Sequence, residues 1–208
     1  MRVIVTGASR GIGAALCQGY AARGDDAIGT DRAQVDFAKP ETISPWAAGV
    51  GGPIDLLICN AGVYLDAGQS LEAGYPAEMW SQTFAVNVTG VFLTVQSLLP
   101  QLRASRAPKI AILSSQMGSS TRAKGTSLIY RVSKAAVLNL GLNLSQALKQ
   151  EGIAVGVYHP GWVRTDMGGA AADISVEAAR DGLIARFDAL SLETSGCFET
   201  WDGRAHPL

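Results

Sequence analysis

The chain has 208 residues, 48% hydrophobic and 17% charged, with a formal net charge of -1. That length and apolar content suffice for one domain, residues 1–208, with a large core. No basic stripe or charge run is present, which argues against nucleic acid or an anionic membrane surface as a partner.

Arg2–Thr6 reads as a strand that begins directly after Met1, so no cleaved leader is expected. Ile12–Arg23 follows as a helix, Ala27–Thr30 as a strand, Thr42–Gly49 as a weak helix and Asp55–Cys59 as a strand. Ala77–Arg103 contains a long helix expected to end near Pro100. No apolar run reaches the roughly 18 residues of a membrane span. Lys109–Ser114 is a strand, then a Gly/Ser/Thr-rich loop runs to Ser127, and Tyr130–Gln150 is a helix. Ala154–His159 is a strand, Ser175–Ala189 a helix and Gly196–Trp201 a last short strand. Unbroken apolar strands alternating with helices predict a three-layer, mostly parallel, doubly wound α/β sheet of the Rossmann type. Cys17, Cys59 and Cys197 are far apart, odd in number and lack metal-ligand spacing, so reduced thiols, no metal and a cytoplasmic location are expected.

Two short patterns carry chemistry. Tyr130 and Lys134 lie four residues apart, on one face of their helix. An ammonium beside a phenol favours the phenolate and would lower the tyrosine's pKa toward neutrality. Thr6-Gly-Ala-Ser-Arg-Gly-Ile-Gly13 follows the first strand and opens the first helix. Gly7, Gly11 and Gly13 let the backbone turn tightly against a pyrophosphate, which the helix N-terminus would attract. The spacing is G-x-x-x-G-x-G rather than G-x-G-x-x-G.

With these motifs, the chain resembles a short-chain dehydrogenase/reductase along nearly its full length. The resemblance rests on the glycine loop, Asn60-Ala61-Gly62 after a strand, Asn87 within Phe84-Ala-Val-Asn-Val, Ser114-Ser115 at a strand end, Tyr130-x-x-x-Lys134, and Pro160-Gly161-Trp-Val-Arg-Thr165. It implies hydride transfer between a nicotinamide and a small carbonyl or secondary alcohol. Tyr130 is then implied as the general acid and base, with Lys134 lowering its pKa and bonding the nicotinamide ribose. Ser115 would orient the substrate oxygen, with Ser114 the alternative, and Asn87 would hold a water relaying protons to Lys134. Cofactor contacts fall to Gly7, Ser9, Arg10, Gly11, Ile12, Gly13, Asn60, Ala61, Gly62, Tyr130, Lys134, Pro160, Gly161, Val163 and Thr165. The histidines, His159 and His206, look incidental.

Asp31, 24 residues after Gly7, places a carboxylate where adenosine ribose hydroxyls would lie and argues for NAD. Arg32 and Arg10 could attract a 2′-phosphate and leave NADP open. Only four residues separate Asp31 from Asp36-Phe37, which resembles the family's adenine-holding pair. The usual helix between the second and third strands would then be missing, the third strand a stub and the adenine pocket exposed. After Thr165 the expected substrate lid shrinks to a Gly/Ala-rich stretch, predicting a mobile lid and an open, permissive site. Tyr64, Met117 and Trp162 are candidate walls. The segment from Tyr130 through HPGWVRTDMGG resembles the branch of C-factor-like proteins and small carbonyl reductases, so an NAD-binding signalling protein with little turnover is the alternative function. Analogy with the family implies a homodimer or homotetramer.

Overall fold

The computed structural model describes all 208 residues. Successive apolar side chains in a strand point to opposite faces, so strands that are apolar throughout need cover on both sides. Strand β1 (Arg2–Val5) shows how this is met. Ile4 packs with Leu57, Val95, Leu98, Ile112 and Val137, whereas Val3 and Val5 pack with Leu16, Tyr20, Ile58, Leu183 and Phe187. Helices α4 (Gly90–Arg103) and α5 (Leu128–Lys149) supply the first cover, and α1 (Gly11–Ala22) and α6 (Val176–Ala189) the second. Truncating a fully buried side chain such as Leu57 or Leu98 to alanine would cost about 2–5 kcal/mol.

The other strands are β2 (Asp26–Gly29), β3 (Leu56–Cys59), β4 (Lys109–Leu113), β5 (Ala154–His159) and β6 (Phe198–Thr200). They form one parallel sheet in the order β2-β1-β3-β4-β5-β6. The chain leaves β1 for β2 on one side and returns to place β3 on the other. The carboxyl ends of β1 and β3 therefore flank the topological switch point where ligands bind in such sheets. The expected three-layer α/β architecture is present.

No strand forms at Asp36-Phe37, and the predicted stub is absent. Residues 31–35 instead close a turn on Asp31, whose Oδ1 accepts from Ala33 N and Gln34 N at 2.9 and 3.0 Å. Phe37 is pulled into a small core with Val35, Ile43 and Val86, edge-on to Trp46 of α2 (Ile43–Ala48). Asp31 itself lies two residues past β2.

The long helix runs unbroken over Ala77–Arg103, 27 residues, past Pro100. Its most apolar window has a mean hydropathy of 1.3, which makes it long and apolar enough to cross a membrane by length and composition. Its apolar residues are nevertheless used on the sheet, where Val91, Val95, Leu98 and Leu102 are buried. Between α3 (Ala77–Phe84) and α4 the helix widens into a π turn, Ala85–Thr89, centred on Asn87. Such turns favour functional positions.

Candidate active site

The switch point is stapled by side chains. Asn60 Nδ2 donates to the carbonyls of Thr6 and Gly7, both at 2.9 Å. Thr6 Oγ1 accepts from Asn60 N and Ala61 N at 3.0 and 3.1 Å. The glycine loop is thereby pressed against the Asn60 turn. A Cβ on Gly13 would come within 2.4 Å of both Asn60 Nδ2 and Gly7 O. Gly7 and Gly11 have φ of 67° and 58°, which only glycine adopts readily. The first turn of α1 has no side-chain cap and no acidic residue. Its free N–H groups and positive dipole end suit a dinucleotide pyrophosphate. Gly7, Gly11, Gly13 and Asn60 are brought together at this turn, with Thr6 bonded among them. Ser9 and Arg10 lie exposed on the loop.

Arg10 and Arg32, the two candidate phosphate binders, are each held by a carboxylate. Arg10 meets Asp166 at 2.9 Å and Arg32 meets Asp36 at 3.3 Å.

Tyr130 and Lys134 are brought together, both buried, on the inner face of α5. The helix starts at Leu128, two residues before the expected start, because Asp66 caps it. Asp66 is fully buried and accepts from Ile129 N at 2.8 Å and Tyr130 N at 3.2 Å. Nothing in the local sequence pairs Asp66 with a helix 63 residues away, and it was missed. Tyr64 stacks on Tyr130 with ring centroids 4.5 Å apart and shares a 2.5 Å hydrogen bond with Ser127 Oγ. Lys134 Nζ donates to Leu113 O at 3.0 Å and lies 5.7 Å from the Tyr130 ring centre.

The pKa of Tyr130 departs from expectation. Burial pushes it from the ordinary value of 10 up to about 12, with the nearby Ser115 hydroxyl acting against the rise. The expected lowering by Lys134 is not among the influences on the phenol, and burial also lowers the lysine's own pKa to about 8. At neutral pH the phenol is protonated and the lysine largely charged.

Ser114 and Ser115 separate cleanly. Ser114 Oγ donates to Lys134 O at 2.8 Å. Ser115 Oγ accepts from Met117 N at 3.1 Å and lies at the cavity wall beside the Tyr130 phenol. Asn87 is tied at both ends of its amide. Its Nδ2 donates to Val63 O at 2.9 Å and Ser133 Oγ at 3.0 Å, while Oδ1 accepts from Val63 N at 2.8 Å. Both amide protons are committed to fixing the neighbours of Gly62 and Lys134.

A cavity of about 360 Å³ opens above these groups. Ile12, Ser115, Tyr130, Pro160, Gly161, Val163 and Thr165 line it, together with the three expected walls Tyr64, Met117 and Trp162. His159, which looked incidental, also lines it; burial, then the field of His206, lowers its pKa to about 4. The lid is short but bonded to itself: Trp162 Nε1 donates to Gly168 O at 2.8 Å, Ile174 N to Trp162 O at 3.1 Å and Gly168 N to Thr165 Oγ1 at 3.1 Å.

Comparison with known proteins agrees with this geometry. A profile described as short chain dehydrogenase matches residues 33–174. The chain belongs to the short-chain dehydrogenases. It is 32% identical over 224 residues to a 1-hydroxy-2-glutathionyl-2-methyl-3-butene dehydrogenase from Rhodococcus sp. (strain AD45), covering 97% of this chain and 96% of that protein. It is 36% identical over 157 residues to the C-signal of Myxococcus xanthus, covering 75% of this chain and 93% of that protein. Among solved structures it superposes on an NADPH-bound carbonyl reductase from chicken fatty liver with a TM-score of 0.90 at 28% identity, covering 100% of this chain and 98% of that one. A short chain dehydrogenase from Burkholderia cenocepacia J2315 in complex with NADP gives a TM-score of 0.78 at 25% identity, covering 97% and 96%. This short-chain dehydrogenase is a nicotinamide-dependent oxidoreductase acting on a carbonyl or alcohol group.

Proposed function

We propose that Tyr130 is the general acid and base of this enzyme, acting at the oxygen of a small carbonyl or secondary alcohol. The observation that carries the reading is the convergence of Tyr130, Ser115 and Lys134 beneath one cavity at the switch-point crevice. When bound, the nicotinamide supplies or accepts the hydride. The protonated, buried phenol suits proton donation to a carbonyl oxygen. Ser115 directs its free hydroxyl at that oxygen and stabilises the charge that develops there. Lys134 sits beneath the phenol, where its ammonium favours the phenolate left after proton transfer. Asn87 is a positioning residue, holding Val63 and the Ser133 turn of α5. Gly7, Gly11, Gly13, Asn60, Ala61 and Gly62 would hold the dinucleotide, with Ile12, Pro160, Gly161, Val163 and Thr165 on the nicotinamide side.

For the cofactor we favour NAD. The exposed Asp31 presents a carboxylate past β2 that would repel a 2′-phosphate, and Arg10 and Arg32 are already paired with Asp166 and Asp36. NADP in solved relatives is the competing precedent. Asp36 and Phe37 would stand near the adenine, although Phe37 is occupied in packing. A cytoplasmic location and a homodimer or homotetramer complete the proposal, on the reduced cysteines and the family analogy. The complete Ser115-Tyr130-Lys134 set weighs against a signalling protein without turnover.

Titration with NADH and NADPH, followed by an aldehyde and ketone panel monitored by loss of reduced-cofactor absorbance, tests the reading. Tighter NADH binding and turnover of several small carbonyls are expected. A clear NADPH preference would overturn the role given to Asp31.

A further inference from the structure

The charged residues lining the cavity are Arg122, Lys124 and Arg131, and no carboxylate lines it. None of the three is in an ion pair, whereas Arg10, Arg23, Arg32, Arg103, Arg180 and Arg204 all are. Acids that could compete are spent elsewhere: Glu151, the nearest in sequence, pairs with Arg103, Asp66 caps α5 and Asp166 pairs with Arg10.

The cations are also braced. Arg131 donates from Nε to Thr126 O at 2.9 Å and from Nη1 to Arg122 O at 2.9 Å, tying the loop that carries Arg122 and Lys124 to the start of α5. Arg122 Nη1 donates to Gln116 Oε1 at 2.7 Å, which turns it along the cavity wall. Its charge is among the influences that keep His159 neutral. All three lie between Ser115 and the turn after Tyr130, not on the glycine loop that faces a pyrophosphate. Tyr64, Met117, Trp162 and Met167 supply an apolar part of the same wall.

From this arrangement we infer that the substrate is a carbonyl compound with an apolar body and an anionic group, carboxylate or phosphate, bound by Arg122 and Lys124 while its carbonyl oxygen meets Ser115 and Tyr130. The inference rests on the oxidoreductase reading and names the substrate class for that site. Unpaired cations around a partly desolvated cavity attract an anion and raise its encounter rate, an effect that salt weakens.

The test is the ratio of KM values for para-carboxybenzaldehyde and its methyl ester, in the intact enzyme and in Arg122→Gln/Lys124→Gln. The intact enzyme should bind the acid at least about tenfold better than the ester at low salt, and the ratio should collapse toward one in the double variant or at high salt. A para-phosphonate analogue distinguishes the anions: preference for it over the acid assigns a phosphate substrate, the reverse a carboxylate. Equal KM values for acid and ester, or a ratio the variant leaves unchanged, would overturn the inference. So would a loss of NADH affinity in the variant with the ratio unmoved, which would assign the charges to the cofactor. Failure to turn over these aldehydes and every carbonyl of the wider panel would count against the catalytic reading instead. Calorimetric binding of para-hydroxymethylbenzoate against its amide then still decides the anion site. Tighter binding of the acid, lost in the double variant, supports it; equal binding refutes it. Thermal melting followed by circular dichroism confirms that the variant is folded.

Discussion

Lys134 Nζ sits 5.7 Å from the centre of the Tyr130 ring and donates to Leu113 O at 3.0 Å, so the end of β4 holds the ammonium beneath the phenol and out of solvent. Burial lowers the lysine from 10.5 to about 8. A base whose folded pKa is depressed binds its proton more weakly in the native state than in the unfolded chain, so stability rises as pH climbs from about 8 toward 10.5. Below about 8 both states are protonated and the burial penalty is present in full. Urea denaturation should therefore show the wild type gaining up to about 2 kcal/mol on Lys134→Met between pH 8 and 9.5. A stability difference that stays flat over that interval contradicts the buried, weakly basic lysine.

His159 gives the corresponding acid limb. Its folded pKa of about 4, against 6.5 for the free side chain, results first from burial and then from His206 and Arg122. The stability this represents is present above pH 6.5 and lost as pH falls to about 4, at most roughly 3.5 kcal/mol at about 1.4 kcal/mol per pH unit. His159→Asn should flatten the melting temperature profile over that window; an unchanged slope would place the acid sensitivity elsewhere.

Asp66 supplies the cap that α5 lacks locally, since Ser127 precedes the helix with a left-handed φ of 54° and makes no side-chain cap. Asp66→Ala leaves the Ile129 and Tyr130 N–H groups without their acceptor and should cost about 2 kcal/mol. Turnover should fall further than the stability loss explains, because Tyr130 is the capped residue. Asp66→Asn, which keeps an acceptor oxygen, should recover part of both. Thermal melts paired with initial rates separate the two effects.

Gly13→Ala tests the staple at the switch point. The new methyl would meet Asn60 Nδ2 and Gly7 O at 2.4 Å, so either the Asn60 bridge breaks or the loop moves away from the phosphate. NADH binding measured by fluorescence titration should weaken by more than about tenfold, alongside a destabilisation of about 1–3 kcal/mol. Wild-type affinity in the variant would show that the cradle is looser than drawn.

What the sequence disclosed was local. Apolar runs of four to six residues marked the strands, the Gly7-Gly11-Gly13 spacing marked the turn into α1, and Tyr130-x-x-x-Lys134 fixed two side chains on one helix face. What it withheld depends on distant partners. The π turn at Asn87 leaves an uninterrupted helical pattern and exists because its side chain clamps Val63. Asp66 reaches α5 across 63 residues. No stub strand precedes Asp36-Phe37, and Phe37 packs into a small core with Val35, Ile43 and Trp46. The direction of the Tyr130 shift was misread because charge proximity is visible in spacing, whereas burial is a property of the whole fold.

The central claim is that Tyr130 moves the proton in a site that binds cofactor independently of it. The most direct test is Tyr130→Phe, measured in parallel for NADH affinity and for turnover of the best aldehyde from the panel. Cofactor affinity should stay within about twofold while turnover falls by about 10²–10⁴. A variant that keeps near-normal turnover would contradict the assignment.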